Sequence, residues 1–155
     1  MLICRRMCST STAAVTLSQI RPYLDRMNDG HTTIPLERGH SAWRWTRGYV
    51  ANVTAAVALA VIDDRAANPI YNVGEEPAPT EREWVEQIGM AAGWHGAVVE
   101  VEAEDLAQHL RQPFEFRYEL ATDTARMREE LSYREPVTRE EALQRTVEWE
   151  CSQGC

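Results

Sequence analysis

Residues 43–74 read WRWTRGYVANVTAAVALAVIDDRAANPIYNVG: an arginine-rich approach, an apolar run and a short β-rich run closed by glycine. Val53, Ala55, Ala56, Val57, Ala58, Leu59, Ala60, Val61 and Ile62 leave no polar face, so the helix they form needs cover on most sides. The run is shorter than the roughly 20 residues a bilayer requires, which makes it a core helix. Asn52 is the expected N-cap, its amide oxygen taking a backbone N–H that lacks an intrahelical partner. Asp63, Asp64 and Arg65 end the helix, Asn68-Pro69 turns the chain, and Ile70–Val73 is the expected strand, ended by Gly74.

Outward from this unit the local signals alternate in type. Toward the N-terminus, Ile20, Leu24 and Met27 at helical spacing place a helix from about Ile20 to Asn28, with Pro22 tolerated in its first turn and Asp29-Gly30 as its stop. Thr32–Glu37 follows as a strand with a turn at Gly39. After Gly74 comes an acidic, proline-stiffened loop, Glu75-Glu76-Pro77-Ala78-Pro79, which repels a phosphate. Thr80 and Glu83 then have capping-box spacing, Trp84, Ile88 and Ala91 form an apolar stripe, and Gly93 suits the C-cap. The stripe makes Trp84 a core residue.

Gly89-Met90-Ala91-Ala92-Gly93-Trp94-His95-Gly96 has the look of a dinucleotide glycine motif, but such a motif must follow a strand and open a helix. Here the glycines end a helix and precede the strand Val98–Val101, so the geometry is reversed. Leu106–Leu110 reads as a short helix, and Phe114–Tyr118 as an aromatic segment carrying Arg117. Thr122 or Asp123 caps a helix with Met127 and Leu131 as a core pair. Thr138 and Glu141 open a last helix through Leu143 and Val147, and these two end helices are expected to pack on each other.

The chain has 155 residues, enough for one domain with a real core. With 24 acidic and 16 basic residues its net charge is −8, which argues against nucleic acid or an anionic membrane as the main partner. Every basic residue is arginine. The absence of lysine excludes a Schiff-base lysine and a phosphate-loop lysine, and the arginine bias suggests a bacterial coding sequence. His31, His40, His95 and His109 are scattered, with no metal-ligand spacing, and are expected to face solvent. Cys4, Cys8, Cys151 and Cys155 sit in two end pairs whose spacing is not that of a zinc site, and free thiols of a reducing cytosol are the expectation. No metal site is expected. Residues 1–16 read as a leader that is not native structure, residues 17–150 as the folded unit and residues 151–155 as a tail.

Arginine, then Tyr49-Val50, Asn52-Val53 with small apolar residues, Tyr71-Asn72-Val73-Gly74, and Thr80 opening a helix, together resemble the C-terminal part of the extended short-chain dehydrogenases/reductases, the NAD-dependent nucleotide-sugar epimerases and dehydratases. The likeness continues through Asp123-Thr124, Glu130-Leu131-Ser132-Tyr133 and Glu140-Glu141-Ala142-Leu143 to Trp149. It implies a mixed α/β (α+β) portion of a Rossmann-type fold, with about five or six helices and three or four short strands. It also implies a role in holding the nucleotide sugar.

Within the family, the arginine before the Tyr-Val strand contacts the substrate diphosphate, and Arg44 and Arg47 both stand in that place. A second arginine reaches the phosphates from the far side, and Arg117 is best placed for it, with Arg111 behind. The family's catalytic Tyr-x-x-x-Lys pair has no counterpart in a chain without lysine, and its glycine-rich NAD loop has none in the right context. The resemblance therefore implies a chain that binds no NAD and has no catalytic residue of its own. The expected partners are a nucleotide sugar and either a separate NAD-binding chain or a second copy, in the cytoplasm. Uncovered, the helix over Val53–Ile62 would leave an apolar patch of several hundred Å2, which predicts self-association. A non-catalytic interaction or nucleotide-sugar-binding protein is the alternative function.

Overall fold

The computed structural model describes residues 19–113 and 115–153. The expected leader at 1–16 lies outside them. Six α-helices and a two-stranded parallel sheet follow in the order α1 (Arg21–Asn28), β1 (Thr33–Glu37), α2 (Arg38–Ala42), α3 (Val50–Ile62), α4 (Glu81–Ala92), β2 (Ala97–Val101), α5 (Ala125–Leu131) and α6 (Arg139–Gln153). Single 3-10 turns cover Asp64–Ala66 and Gln108–Leu110. β1 and β2 pair from Thr33 opposite Ala97 to Glu37 opposite Val101. No helix among the described residues is long and apolar enough to cross a membrane.

The local signals at both ends of α4 hold. Thr80 and Glu83 form a reciprocal capping box on α4, and Gly93 closes that helix in the left-handed region at φ +70°. Gly89 and Gly96 are explained by the indole of Trp94: a Cβ would meet its ring at 2.7 Å from Gly89 and 2.1 Å from Gly96. The Trp94 Nε1–H donates to the His31 carbonyl at 2.7 Å, fixing the ring there.

Two clusters make the core. The larger joins α1, β1, α4, β2 and α6 through Leu24, Ile34, Val85, Ile88, Val98 and Val147. The smaller joins α3 to α5 and the following segment through Ala56, Met127, Leu131 and Tyr133. Met127 and Leu131 are thus a core pair as expected. The two end helices, however, bury into different clusters: α6 packs on α4 through Leu143 and Val147, not on α5.

Several expectations need correction. Tyr49 is the N-cap residue of α3, with no side-chain cap bond, and Val50 starts the helix where a strand was expected. Asn52 lies inside the helix, 5% exposed, because its amide closes a pair with another segment. Its Nδ2–H donates to the Val137 carbonyl at 2.9 Å and its Oδ1 accepts from the Val137 N–H at 3.0 Å. The Tyr133 hydroxyl donates to the Asn52 carbonyl at 2.8 Å. Residues 70–73 are extended but form no ladder, so only two of the expected three or four strands occur among the described residues. Gly39 falls within the short helix α2. Cys151 is disulfide-bonded, not a free thiol, and the other cysteines lie outside the described residues.

The cover that α3 was expected to find on most sides covers one side only. Val50, Val57, Val61 and Ile62 are 71%, 56%, 79% and 80% exposed.

Because Asn52 satisfies both main-chain polar groups of buried Val137, Asn52→Leu is expected to strand them and cost about 2–3 kcal/mol. Urea unfolding followed by far-UV circular dichroism measures this. A midpoint within error of wild type would show that the pair carries no stability.

Candidate functional site

An extended segment, residues 43–48, runs between the two clusters and is clasped from both sides. The Glu81 N–H donates to the Trp43 carbonyl at 2.9 Å and the Glu75 N–H to the Arg47 carbonyl at 2.7 Å. From the other flank, the Leu120 N–H donates to the Arg44 carbonyl at 3.0 Å and the Thr46 N–H to the Leu120 carbonyl at 3.3 Å. Gly74 makes the first flank possible, since a Cβ there would lie 2.3 Å from the Thr46 methyl and 2.9 Å from the Arg47 carbonyl. The Trp43 Nε1–H donates to the Tyr118 carbonyl at 2.7 Å.

This clasp delivers Arg47 into the interior, where it is 7% exposed. Its Nη2–H donates to Glu81 Oε2. The guanidinium carbon lies 4.6 Å from the Trp84 ring centre and 5.1 Å from that of Trp45, and such cation–π contacts strengthen when desolvated. Glu81, 4% exposed, is the first residue of α4 and gains from the positive end of that helix as well as from Arg47. The Tyr23 hydroxyl donates to Glu81 Oε1 at 2.7 Å. Burial, reinforced by the Glu81 carboxylate, pushes the Tyr23 phenol far above its ordinary value, so it stays a donor.

Two cavities share Arg47 as a wall. The first, about 360 Å3, is bounded by Tyr23, His40, Trp43, Trp45 and Glu81. The second, about 810 Å3, is a groove between residues 46–50 and α6, lined by Tyr49, Trp84, Arg145 and Trp149. His40, expected to face solvent, is 7% exposed. Its ring stacks on Phe116 at 4.6 Å with 14° between planes, and it lies 6.3 Å from Trp43. Burial holds its imidazole below the ordinary histidine range.

The three arginines named from sequence occupy different surroundings. Arg44 donates to the Ala78 carbonyl at 2.6 Å, lies 3.6 Å from Glu83, and lines a third cavity of about 480 Å3 with Arg139. Arg47 lines the first two cavities. Arg117 is exposed, with its guanidinium carbon 5.4 Å from the Tyr118 ring centre, one residue from the Phe116 that stacks on His40. Arg111, exposed, donates to the Leu106 and Glu104 carbonyls at 2.8 and 3.0 Å. Tyr23, His40 and Glu81 carry no sequence signal of their place in the site. The capping box at Thr80 locates the start of α4 but says nothing of what its first residue meets.

Among the described residues, no group of three or more His, Cys, Asp or Glu is placed to hold a metal ion. Of the glycines at 89, 93 and 96, the first and last are packed on Trp94 and the middle one caps α4, so they do not follow a strand and open a helix as a pyrophosphate loop must.

No protein-family profile matches the chain. It is similar to dTDP-glucose 4,6-dehydratase of Streptomyces niveus, at 30% identity over 125 residues, covering 78% of this chain and 33% of the relative. In fold it is similar to the UDP-glucose 4-epimerase of Thermotoga maritima solved with UDP-glucose, with a TM-score of 0.63 at 20% identity over 88% of this chain and 40% of that one. The chain thus spans about a third of the dehydratase and two-fifths of the epimerase.

The depressed pKa of His40 sets a pH dependence. The folded protein keeps this imidazole neutral, so the stability it contributes is complete above about pH 6.5, the unfolded value. As pH falls from there through the folded pKa, the unfolded chain takes up the proton first and stability drops. Urea midpoints between about pH 7.5 and 5 should fall in wild type and fall less in His40→Phe. Parallel slopes in the two proteins would remove His40 as the cause.

Proposed function

This chain belongs to the extended short-chain dehydrogenases/reductases, the NAD-dependent epimerase/dehydratase family, and we propose that it is the portion of such a fold that holds a nucleotide sugar. Both similar proteins act on, or are solved with, a sugar attached to a nucleoside diphosphate. The observation that carries the reading is the position of Arg47, in the shared wall of an aromatic cavity and a larger groove.

The smaller cavity suits the nucleoside. Its volume of about 360 Å3 and its walls of Trp43, Trp45, Tyr23 and His40 offer flat faces to a base, and base–aromatic stacking contributes about 1–3 kcal/mol. Its charges balance, Arg26 and Arg47 against Glu37 and Glu81, which favours an uncharged ring over a phosphate inside it. The diphosphate then lies at the boundary, against Arg47, and Arg117, which lines neither cavity, is the second arginine proposed for it. A guanidinium is suited to this because its planar fork bonds two oxygens and stays charged. One arm of Arg47 is given to Glu81 and its Nη1 donates to the Trp45 carbonyl at 3.4 Å, so only part of the fork is left for a ligand and the affinity is modest. Arg44 acts one step back, holding the 75–83 loop through the Ala78 carbonyl.

Redox chemistry comes from outside these 155 residues. Without lysine there is no Tyr-x-x-x-Lys pair, and of the glycines that resemble an NAD loop Gly89 and Gly96 serve Trp94 while Gly93 caps α4. The chain alone therefore neither binds NAD nor transfers hydride, and catalysis needs an NAD-binding portion to complete the cleft. The bias to arginine fits a bacterial protein, and we place it in the cytoplasm. A second reading, an interaction protein without a ligand, is favoured by the uncovered face of α3.

The test is a thermal-shift series with UDP-glucose, dTDP-glucose and NAD. A ligand at about 100 times its Kd stabilises the folded state by about 2.7 kcal/mol, so the sugar nucleotides should raise Tm by several degrees and NAD should leave it unchanged. Arg117→Ala, at an exposed position, should weaken sugar-nucleotide binding roughly three- to tenfold with the ligand-free Tm kept. A folded sample whose Tm ignores both sugar nucleotides would sink the proposal.

A further inference from the structure

The acidic pair Glu75-Glu76, which by sequence alone repels a phosphate, is answered in the fold by two arginines from later in the chain, one for each carboxylate. From the first position of α6, the Arg139 Nε–H donates to Glu75 Oε2 at 2.6 Å and its Nη2–H to the Pro77 carbonyl at 2.7 Å. From α5, Arg128 donates through Nη1 to Glu76 Oε2 at 3.2 Å and through Nη2 to the Gly74 carbonyl at 2.9 Å. The two acids differ in setting. The Glu76 side chain is 46% exposed, whereas that of Glu75 is 10% exposed.

Glu75 is held close to Arg47 by the main chain, its N–H donating to the Arg47 carbonyl at 2.7 Å, and it lines the same groove as Arg47. A bare carboxylate in that wall would oppose a diphosphate, since charges near a partly buried site interact far more strongly than in bulk water. Arg139 does not line the groove. It stands behind Glu75, in the wall of the third cavity. The groove's other carboxylate, Glu150, is treated in the same way: Arg21, also outside the groove lining, lies 3.2 Å from its Oε2.

We propose that Arg139 is a positioning residue for the anion subsite at Arg47: it holds the Glu75 carboxylate from behind and so masks a negative charge that would otherwise bar a diphosphate from the groove. Arg139 itself touches no ligand. For the ligand, this inference rests on the nucleotide-sugar reading; the masking is a property of the fold. Neither Glu75 nor Arg139 lines the smaller aromatic cavity, so loss of the mask acts on the phosphates and spares the nucleoside. That difference separates a masking residue from one that merely supports the fold.

Calorimetric titration of the whole chain with UDP and with uridine tests it. Arg139→Gln should weaken UDP roughly tenfold and uridine by less than about twofold. Adding Glu75→Gln should return UDP to within about twofold of wild type, because without the carboxylate there is nothing to mask. Arg139→Lys keeps the charge and should stay within about threefold of wild type, which decides the matter if Arg139→Gln does not fold. In the ligand-free chain, the Arg47 Nε–H resonance, displaced by the rings of Trp45 and Trp84, should move in Arg139→Gln and return in the double variant. Equal losses for UDP and uridine, no rescue by Glu75→Gln, Arg139→Lys outside that range, or an unmoved Arg47 resonance would each overturn the proposal. A wild-type chain that binds neither UDP nor uridine would instead remove the nucleotide-sugar reading, and the Arg47 resonance would still decide for or against the mask.

Discussion

The ion pair between Arg47 and Glu81 is the constraint on which the rest of this structure leans. Two charges taken out of water cost more than their attraction returns unless their remaining valences are met. Here Trp45 and Trp84 flank the guanidinium and Tyr23 bonds the second carboxylate oxygen. These groups come from α1, from the 43–48 segment and from α4, so one pair fixes three elements of different sequence distance. It also decides the character of the candidate site. A positive charge that must serve a carboxylate as well as a ligand makes for selective rather than tight binding.

Geometry around that pair is set by main-chain contacts more than by side chains. Residues 43–48 form no regular strand with either flank, only two isolated bridges, Arg44 with Thr80 and Trp45 with Leu120. The segment nonetheless holds the aromatic wall, because each flank supplies carbonyls and N–H groups at the right spacing and Gly74 removes the one Cβ in the way. A substitution at Gly74 would thus be felt at Arg47 although the two side chains share no chemistry.

What was legible in the sequence is what local chemistry decides. The α4 helix was written at both ends, by Thr80 with Glu83 and by Gly93, and the structure keeps both. The strands at 33–37 and 97–101 followed from alternating β-rich residues, and their parallel pairing gives each the neighbour it needs. Residues 70–73 had the same composition and no neighbour, and β-propensity without a partner strand makes extended chain only. Asn52 failed as a cap for a related reason: its amide finds Val137, 85 residues away, and a remote pair outcompetes a local one. His40 and Glu81 were illegible because their burial depends on Phe116, Tyr23 and Arg47, none of which is near them in the chain. The arginines were legible as chemistry, and only the fold separates Arg44, which braces a loop, from Arg47, which walls two cavities.

The division of the interior into a large and a small cluster has a dynamic meaning. The small one holds four buried residues and is bordered by a helix whose other face meets water. Its opening exposes little new apolar surface, so its free energy lies well below that of global unfolding, while the sheet, α1, α4 and α6 open only together. The α3–α5 unit is in this sense a separate cooperative layer, able to loosen and reclose while the ion pair and its aromatic wall stay formed. Whatever binds the outer face of α3 gains its hold partly by suppressing that motion, and so stabilises a region it does not wholly touch.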